Sequence, residues 1–176
     1  MTGTVAHSRR RREWCCVTPL LVVILLVSCA SAAPQSDLNA VVVMVIDGDT
    51  IAVEIGDREA RVRLVGIDTP EIAHPARGDS PATGAECFAD EAHQFLREML
   101  PIGSEVRIER DVVGRDHYDR VLGYVHRGDG VFVNYESVRQ GYARPLSIAP
   151  NLAHADLMVR AAELAEQSDV GLWSTC

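Results

Sequence analysis

The sequence predicts an α+β protein, a small five-stranded barrel carrying three α-helices. Three observations support that class. Five short segments are either β-branched runs or alternate apolar with polar residues. A helical stripe follows the third of them, and two further helical segments lie toward the C-terminus. The length of 176 residues, with 47% hydrophobic and 24% charged, is that of one globular domain rather than a disordered or polytopic membrane chain.

The first strand is the β-branched run 40–46, and the second, 50–55, alternates. Gly56-Asp57 supplies hairpin-turn chemistry before a third strand over 60–65, giving a three-strand meander. A Pro-, Gly-, Ser- and Ala-rich loop spans 70–84. The spacing then predicts a helix over 85–100 burying Phe88, Ala92, Phe95 and Met99, closed by Pro101 and Gly103. Alternation resumes over 104–110 and 121–126, separated by a polar stretch, and Asp129-Gly130 marks another turn. A short helix is expected over 133–140, ended by Gly141. A last one over 152–167 should bury Leu152, Ala155, Val159 and Ala162. Five strands this short escape exposed edges most simply by closing, as in an OB-fold barrel. An open five-stranded sheet with helices on one face is the alternative.

The N-terminus reads as an export signal occupying residues 1–32. Arg9 to Arg12 precede a short apolar run over 17–27, and small residues lead to Pro34. The run falls short of the ~20 residues that span a bilayer. Two processing readings compete: cleavage after Ala30-Ser31-Ala32 releases the protein, whereas Leu26-Val27-Ser28-Cys29 resembles a lipoprotein box that would leave a lipid on Cys29. Either way the expectation is export from a bacterial cell, to the medium or to the membrane surface. A polar leader, 33–39, then precedes the folded domain, 40–176.

All 17 basic residues are arginine, so a Walker A loop and lysine nucleophiles are excluded. Removing a signal that holds four arginines and one glutamate takes the net charge from −8 to −11. Such a chain does not coat polyanions, and nucleic acid could be met only through a few placed arginines and a cation. Processing also leaves Cys87 and Cys176, an even pair in an oxidising compartment. They are expected to form a disulfide, two separate thiols being the alternative. With no oligomerisation signal, a monomer is expected.

Two acidic clusters carry the chemistry: Asp47-Gly48-Asp49-Thr50 between the first two strands, and Asp68-Thr69-Pro70-Glu71 after the third. In a meander the second strand begins at the end where the third finishes, so Asp49 and Asp68 should meet there. Two carboxylates, a backbone carbonyl and water make a partial shell for a hard divalent cation. Taken alone, Asp-Gly-Asp is ordinary turn chemistry. Arg63 and Arg120 add guanidinium forks suited to gripping a phosphodiester and offsetting its developing charge. The six histidines show no zinc-like pairing.

These motifs, with Arg61-Val62-Arg63-Leu64, Gly66-Ile67-Asp68, Asp116-His117-Tyr118-Asp119-Arg120 and Leu172-Trp173-Ser174, resemble the staphylococcal nuclease (thermonuclease) family from about Val41 to Trp173. The resemblance implies an OB-fold barrel that hydrolyses DNA and RNA with Ca²⁺ and leaves 3′-phosphate products. Carried over, Asp49 and Asp68 are carboxylate ligands of calcium, Thr69 contributes its backbone carbonyl and Asp47 supports the shell from outside. Glu71 is the candidate general base, and Arg63 and Arg120 clamp the phosphate. His117, Tyr118 and, in the loop, Arg77 are candidate substrate contacts. His117 stands where the family usually has lysine, a cation that depends on protonation. Leu146 and Ile148 stand where family tyrosines stack, which removes roughly 1–3 kcal/mol per base. A non-catalytic OB-fold module that binds nucleic acid is the competing reading.

Overall fold

The computed structural model describes residues 1–3, 37–76, 78 and 80–176. The chain divides into two compact units, Met1–Ser31 and Ala32–Cys176, and the regular structure described below belongs to the second. The export signal, the polar leader up to residue 36, Cys29 and Arg77 fall outside the described residues.

Strands β1 (Leu38–Val45), β2 (Thr50–Ile55) and β3 (Arg58–Leu64) form the expected antiparallel meander. After a crossover, β5 (Glu105–Glu109) and β6 (Val121–Arg127) complete the wall. Pairing of β5 with β1, and parallel pairing of β6 with β3, close the barrel in the order β1-β2-β3-β6-β5. The open-sheet alternative is thereby excluded. Alternating apolar residues of every strand fill the interior: Val42, Ile51, Val53, Val62, Leu64, Val106, Ile108 and Val125 are all buried. Gly123 lets β6 approach β5, because a Cβ there would run into Ile108.

The sequence did not signal a second, two-stranded sheet of β4 (Gly66–Asp68) and β7 (Arg144–Leu146). Three-residue strands are too short for a periodic pattern. Buried Asn134 fastens the region, accepting from Val125 N–H and donating to the Val65 carbonyl, both at 2.8 Å.

Helices α1 (Ala89–Met99), α2 (Val133–Arg139) and α3 (Ala155–Gln167) occupy the expected stretches, and a fourth short one, α4 (Leu172–Thr175), follows. Two of the expected faces need correction. In α1 the barrel side is Ala89, Ala92 and Leu96, while Phe88, Phe95 and Met99 are half-buried. The aromatic rings flank the contact instead: Tyr142 lies 5.4 Å from Phe88 and 4.1 Å from Phe95. In α3 the buried side is Met158, Ala161, Ala162 and Ala165, whereas Leu152 and Val159 are 46% and 43% exposed. Alanines let α3 approach closely, and bulkier residues are left outside. Leu152 precedes the helix in a turn that follows a cis Ala149–Pro150 bond.

Candidate active site

Asp49 and Asp68 reach the same end of the barrel because β2 starts where β3 finishes. Ladder pairing sets Thr50 opposite Arg63, and Leu64 N–H donates to the Asp49 carbonyl at 2.8 Å. The two carboxylates bracket one guanidinium: Nη2 of Arg63 lies 2.7 Å from Asp49 Oδ2 and 3.0 Å from Asp68 Oδ1. Nη1 of Arg63 donates to the carbonyls of Leu64 and Ile67, so the whole fork is held.

The loop that presents Asp49 is built tightly. Asp49 N–H donates to Asp47 Oδ1 at 3.0 Å, so Asp47 shapes the turn from outside. Gly48 lies against Thr69, whose side chain occupies the space a Cβ would need, with Oγ1 2.6 Å from that position. Asp49 itself is buried and accepts from Thr50 Oγ1 and from Thr69 N–H. Burial pushes its carboxyl up to about 7, against the pull of Arg63.

This donor set fits a hard cation. In this structure Nη2 of Arg63 fills the space between the two carboxylate oxygens. Carbonyl and carboxylate oxygens are the ligands that such an ion takes. Among the described residues no group of three or more His, Cys, Asp or Glu is arranged to hold a metal, so any shell here needs a backbone carbonyl and water as well.

Arg120 reaches the same region from the neighbouring strand, for it immediately precedes β6, whose Val121 and Leu122 pair with Val62 and Arg63 of β3. Arg63 and Arg120 line one pocket of about 470 Å³ together with Asp116, His117, Leu146 and Ile148. Asp116 organises this wall. Its Oδ1 accepts from Tyr118 and Arg120 N–H, both at 2.9 Å, and its Oδ2 accepts from Arg120 Nε at 2.7 Å. Burial acts against the charged form of Asp116, but these hydrogen bonds outweigh it and hold the carboxyl below its ordinary range. Among the described residues only Nε of the Arg120 guanidinium is hydrogen-bonded to a side chain, and the group lies 5.4 Å from the Tyr118 ring centre. Tyr118 is exposed, with the His117 ring 3.7 Å away.

Glu71 stands on the exposed segment after β4. Its carboxylate is 65% exposed and lies 3.6 Å from His74. Its main chain, by contrast, is bonded on both sides to Glu86. The sulfurs of Cys87 and Cys176 are 2.15 Å apart, at bonding distance.

Sequence reasoning missed two supports. Asp116 carries the signal of an Asp four residues before an arginine, yet in a loop that spacing has no fixed meaning. Asn151 exchanges two 2.8 Å hydrogen bonds with the Val113 backbone and so holds the pocket's far rim; a lone Asn after proline gives no such indication.

A sequence profile for the family described as Staphylococcal nuclease homologue matches residues 61–175. The chain belongs to the staphylococcal nuclease family. Among curated relatives, a thermonuclease of Staphylococcus intermedius is 34% identical over 133 residues, covering 76% of this chain and 74% of that protein. One from Staphylococcus hyicus is 32% identical with the same coverage. Endonuclease YhcR of Bacillus subtilis is 28% identical over 82% of this chain, a match that takes in only 12% of that much longer protein.

Proposed function

We propose that this chain is a nuclease that hydrolyses phosphodiester bonds of DNA and RNA with calcium. The observation that carries the reading is the bracketing by Asp49 and Asp68 of Arg63, which itself lines a pocket shared with Arg120. Asp49, Asp68 and the Thr69 carbonyl would hold the ion, with Asp47 setting the turn behind them. Bound there, calcium would supply positive charge against a phosphate oxygen.

The chain's own residues account for the rest. Glu71 takes a proton from the attacking water as the water oxygen bonds phosphorus, and the bond to the 5′ oxygen breaks. That oxygen takes a proton from solvent, and a 3′ phosphate remains. Arg120, held at Nε by Asp116, turns its terminal N–H groups on the phosphate where charge builds. Arg63 is the second cation beside the same group. Leu146 and Ile148 offer an aliphatic wall to the neighbouring base or sugar, with His117 lining the same pocket and the exposed Tyr118 ring beside it.

We also infer that the protein is exported from a bacterial cell and acts as a monomer, either released or tethered by a lipid on Cys29. The sequence of the N-terminus supports this. No helix among the described residues is long and apolar enough to cross a membrane.

The test is incubation of the processed protein with single- and double-stranded DNA and with RNA, in calcium and in chelator. Cleavage that needs calcium and is lost in Glu71→Gln is the expected result. Binding without cleavage would select a non-catalytic module instead.

A further inference from the structure

Residues 71–86 form a loop whose two ends meet. At the neck, Glu71 N–H donates to Glu86 Oε2 at 3.1 Å, and Glu86 N–H donates to the Glu71 carbonyl at 2.9 Å. One step further out, His74 and Thr83 exchange a second pair of backbone hydrogen bonds at 3.1 and 3.0 Å. This is the construction of an Ω-loop, with close ends and an exposed tip. The Glu71 side chain is largely exposed, with the His74 ring 3.6 Å from its carboxylate, and its main chain is fixed by Glu86.

The partner of that clamp is anchored in turn. Cys87, next to Glu86, is bonded to Cys176 across a sequence separation of 89. Cys176 N–H donates to Leu172 in α4, and Leu172, itself buried, donates its N–H to the Gly141 carbonyl at 2.8 Å. Gly141 and Gly171 pack backbone to backbone, without room for a side chain on either. Phe88 continues from Cys87 in a left-handed conformation, φ 70°, and rests against Tyr142. The C-terminal corner of the fold thus grips the neck of the loop covalently and through a ring contact.

We propose that Glu86 is a positioning residue for Glu71, and that the Cys87–Cys176 bond holds Glu86 in place for that task. The proposal rests on the reading of Glu71 as the base. A general base exerts its effect only within a narrow range of positions, so an exposed carboxylate needs a rigid main chain beneath it. Two reciprocal hydrogen bonds from a covalently tethered residue provide one.

The test uses the processed protein with a defined oligonucleotide in saturating calcium. Glu86→Ala is expected to lower kcat about 10-fold with KM little changed, as loss of alignment without loss of binding requires. Glu86→Gln keeps an acceptor oxygen and should restore most of the rate. The paired variant Cys87→Ser/Cys176→Ser, assayed well below its melting temperature, should lose kcat in the same manner. Combined with Glu86→Ala, it should add little further loss, since both changes act on one contact. Reductant on the native protein should reproduce the serine pair without any mutation. Native kcat in Glu86→Ala, or losses that add fully in the combined variant, would overturn the proposal. Failure of the underlying reading is distinguishable: there Glu71→Gln itself retains full activity.

Discussion

Replacing Gly48 with alanine probes the tightest contact at the candidate ion site. The new Cβ would stand 2.6 Å from Thr69 Oγ1, 2.8 Å from Thr69 Cβ and 3.1 Å from Thr69 Cγ2. Rotation of the threonine cannot relieve the contact with its Cβ, so the backbone on one side must move. Overpacking of this kind costs about 1–3 kcal/mol. At about 2–4 °C per kcal/mol for a domain of this size, the melting temperature should fall by several degrees. Function should suffer more than stability. Thr69 adjoins Asp68, and its N–H is bonded to Asp49, so a shift there would spread the oxygens proposed to hold calcium. Differential scanning calorimetry with and without calcium measures both effects, the second as loss of the calcium-induced rise in melting temperature. Removing the opposing side chain with Thr69→Gly should recover part of the calcium response in the double variant. A Gly48→Ala protein with native melting and native calcium response would refute the account of why glycine stands there.

Three other outcomes follow from the geometry. Arg120→Ala should lower kcat/KM by about 3–4 kcal/mol of transition-state stabilisation, with melting little changed; Arg120→Lys should not restore it, because the planar fork gripped by Asp116 is lost. Equal activity in Arg120→Ala would remove that residue from the mechanism. Reduction of the Cys87–Cys176 bond should destabilise the fold by about 4–5 kcal/mol in the chain-entropy picture, read by urea melts of the serine pair. Glu109 takes hydrogen bonds from His126 at 2.9 Å and His154 at 2.8 Å. Burial opposes its charged form, but these partners hold its carboxyl below the ordinary value of 4.5. A lowered folded pKa stabilises above the unfolded value and is lost as pH falls through the folded one. Glu109→Gln should therefore melt lower than native at pH 7, with the gap closing in acid below pH 4.5, as followed by circular dichroism. A gap that stays constant with pH would refute the ionic contribution.

Periodicity is local, and what it reports it reports well. β-branched and alternating runs located all five barrel strands, and Gly-Asp turns their hairpin. Meander geometry alone brought Asp49 and Asp68 to one end. The faces of α1 and α3 were legible less well. A run such as the one from Leu152 to Gln167 offers several apolar stripes of similar strength, and only the surface a helix meets selects among them. The β4–β7 sheet and α2 accept the side of α3 that carries Met158 and three alanines, small residues that permit close approach. Phe88 and Phe95 lose the central place for the opposite reason, being too large for it and finding Tyr142 at the edge.

For the site, the sequence by itself determined which chemical groups are available: oxygen donors within and after the meander, arginine as the sole strong cation, and cysteines at positions 87 and 176. Tertiary structure decided how those groups are shared. Arg63 has its fork taken up by two carboxylates and two carbonyls, while, among the described residues, Arg120 is held by Asp116 through Nε alone of its guanidinium nitrogens. Glu71 is anchored through its main chain by a residue 15 positions away. Composition and spacing name the donors and acceptors, but a hydrogen bond depends on distance and direction to within a fraction of an ångström, and those arise only when remote segments pack.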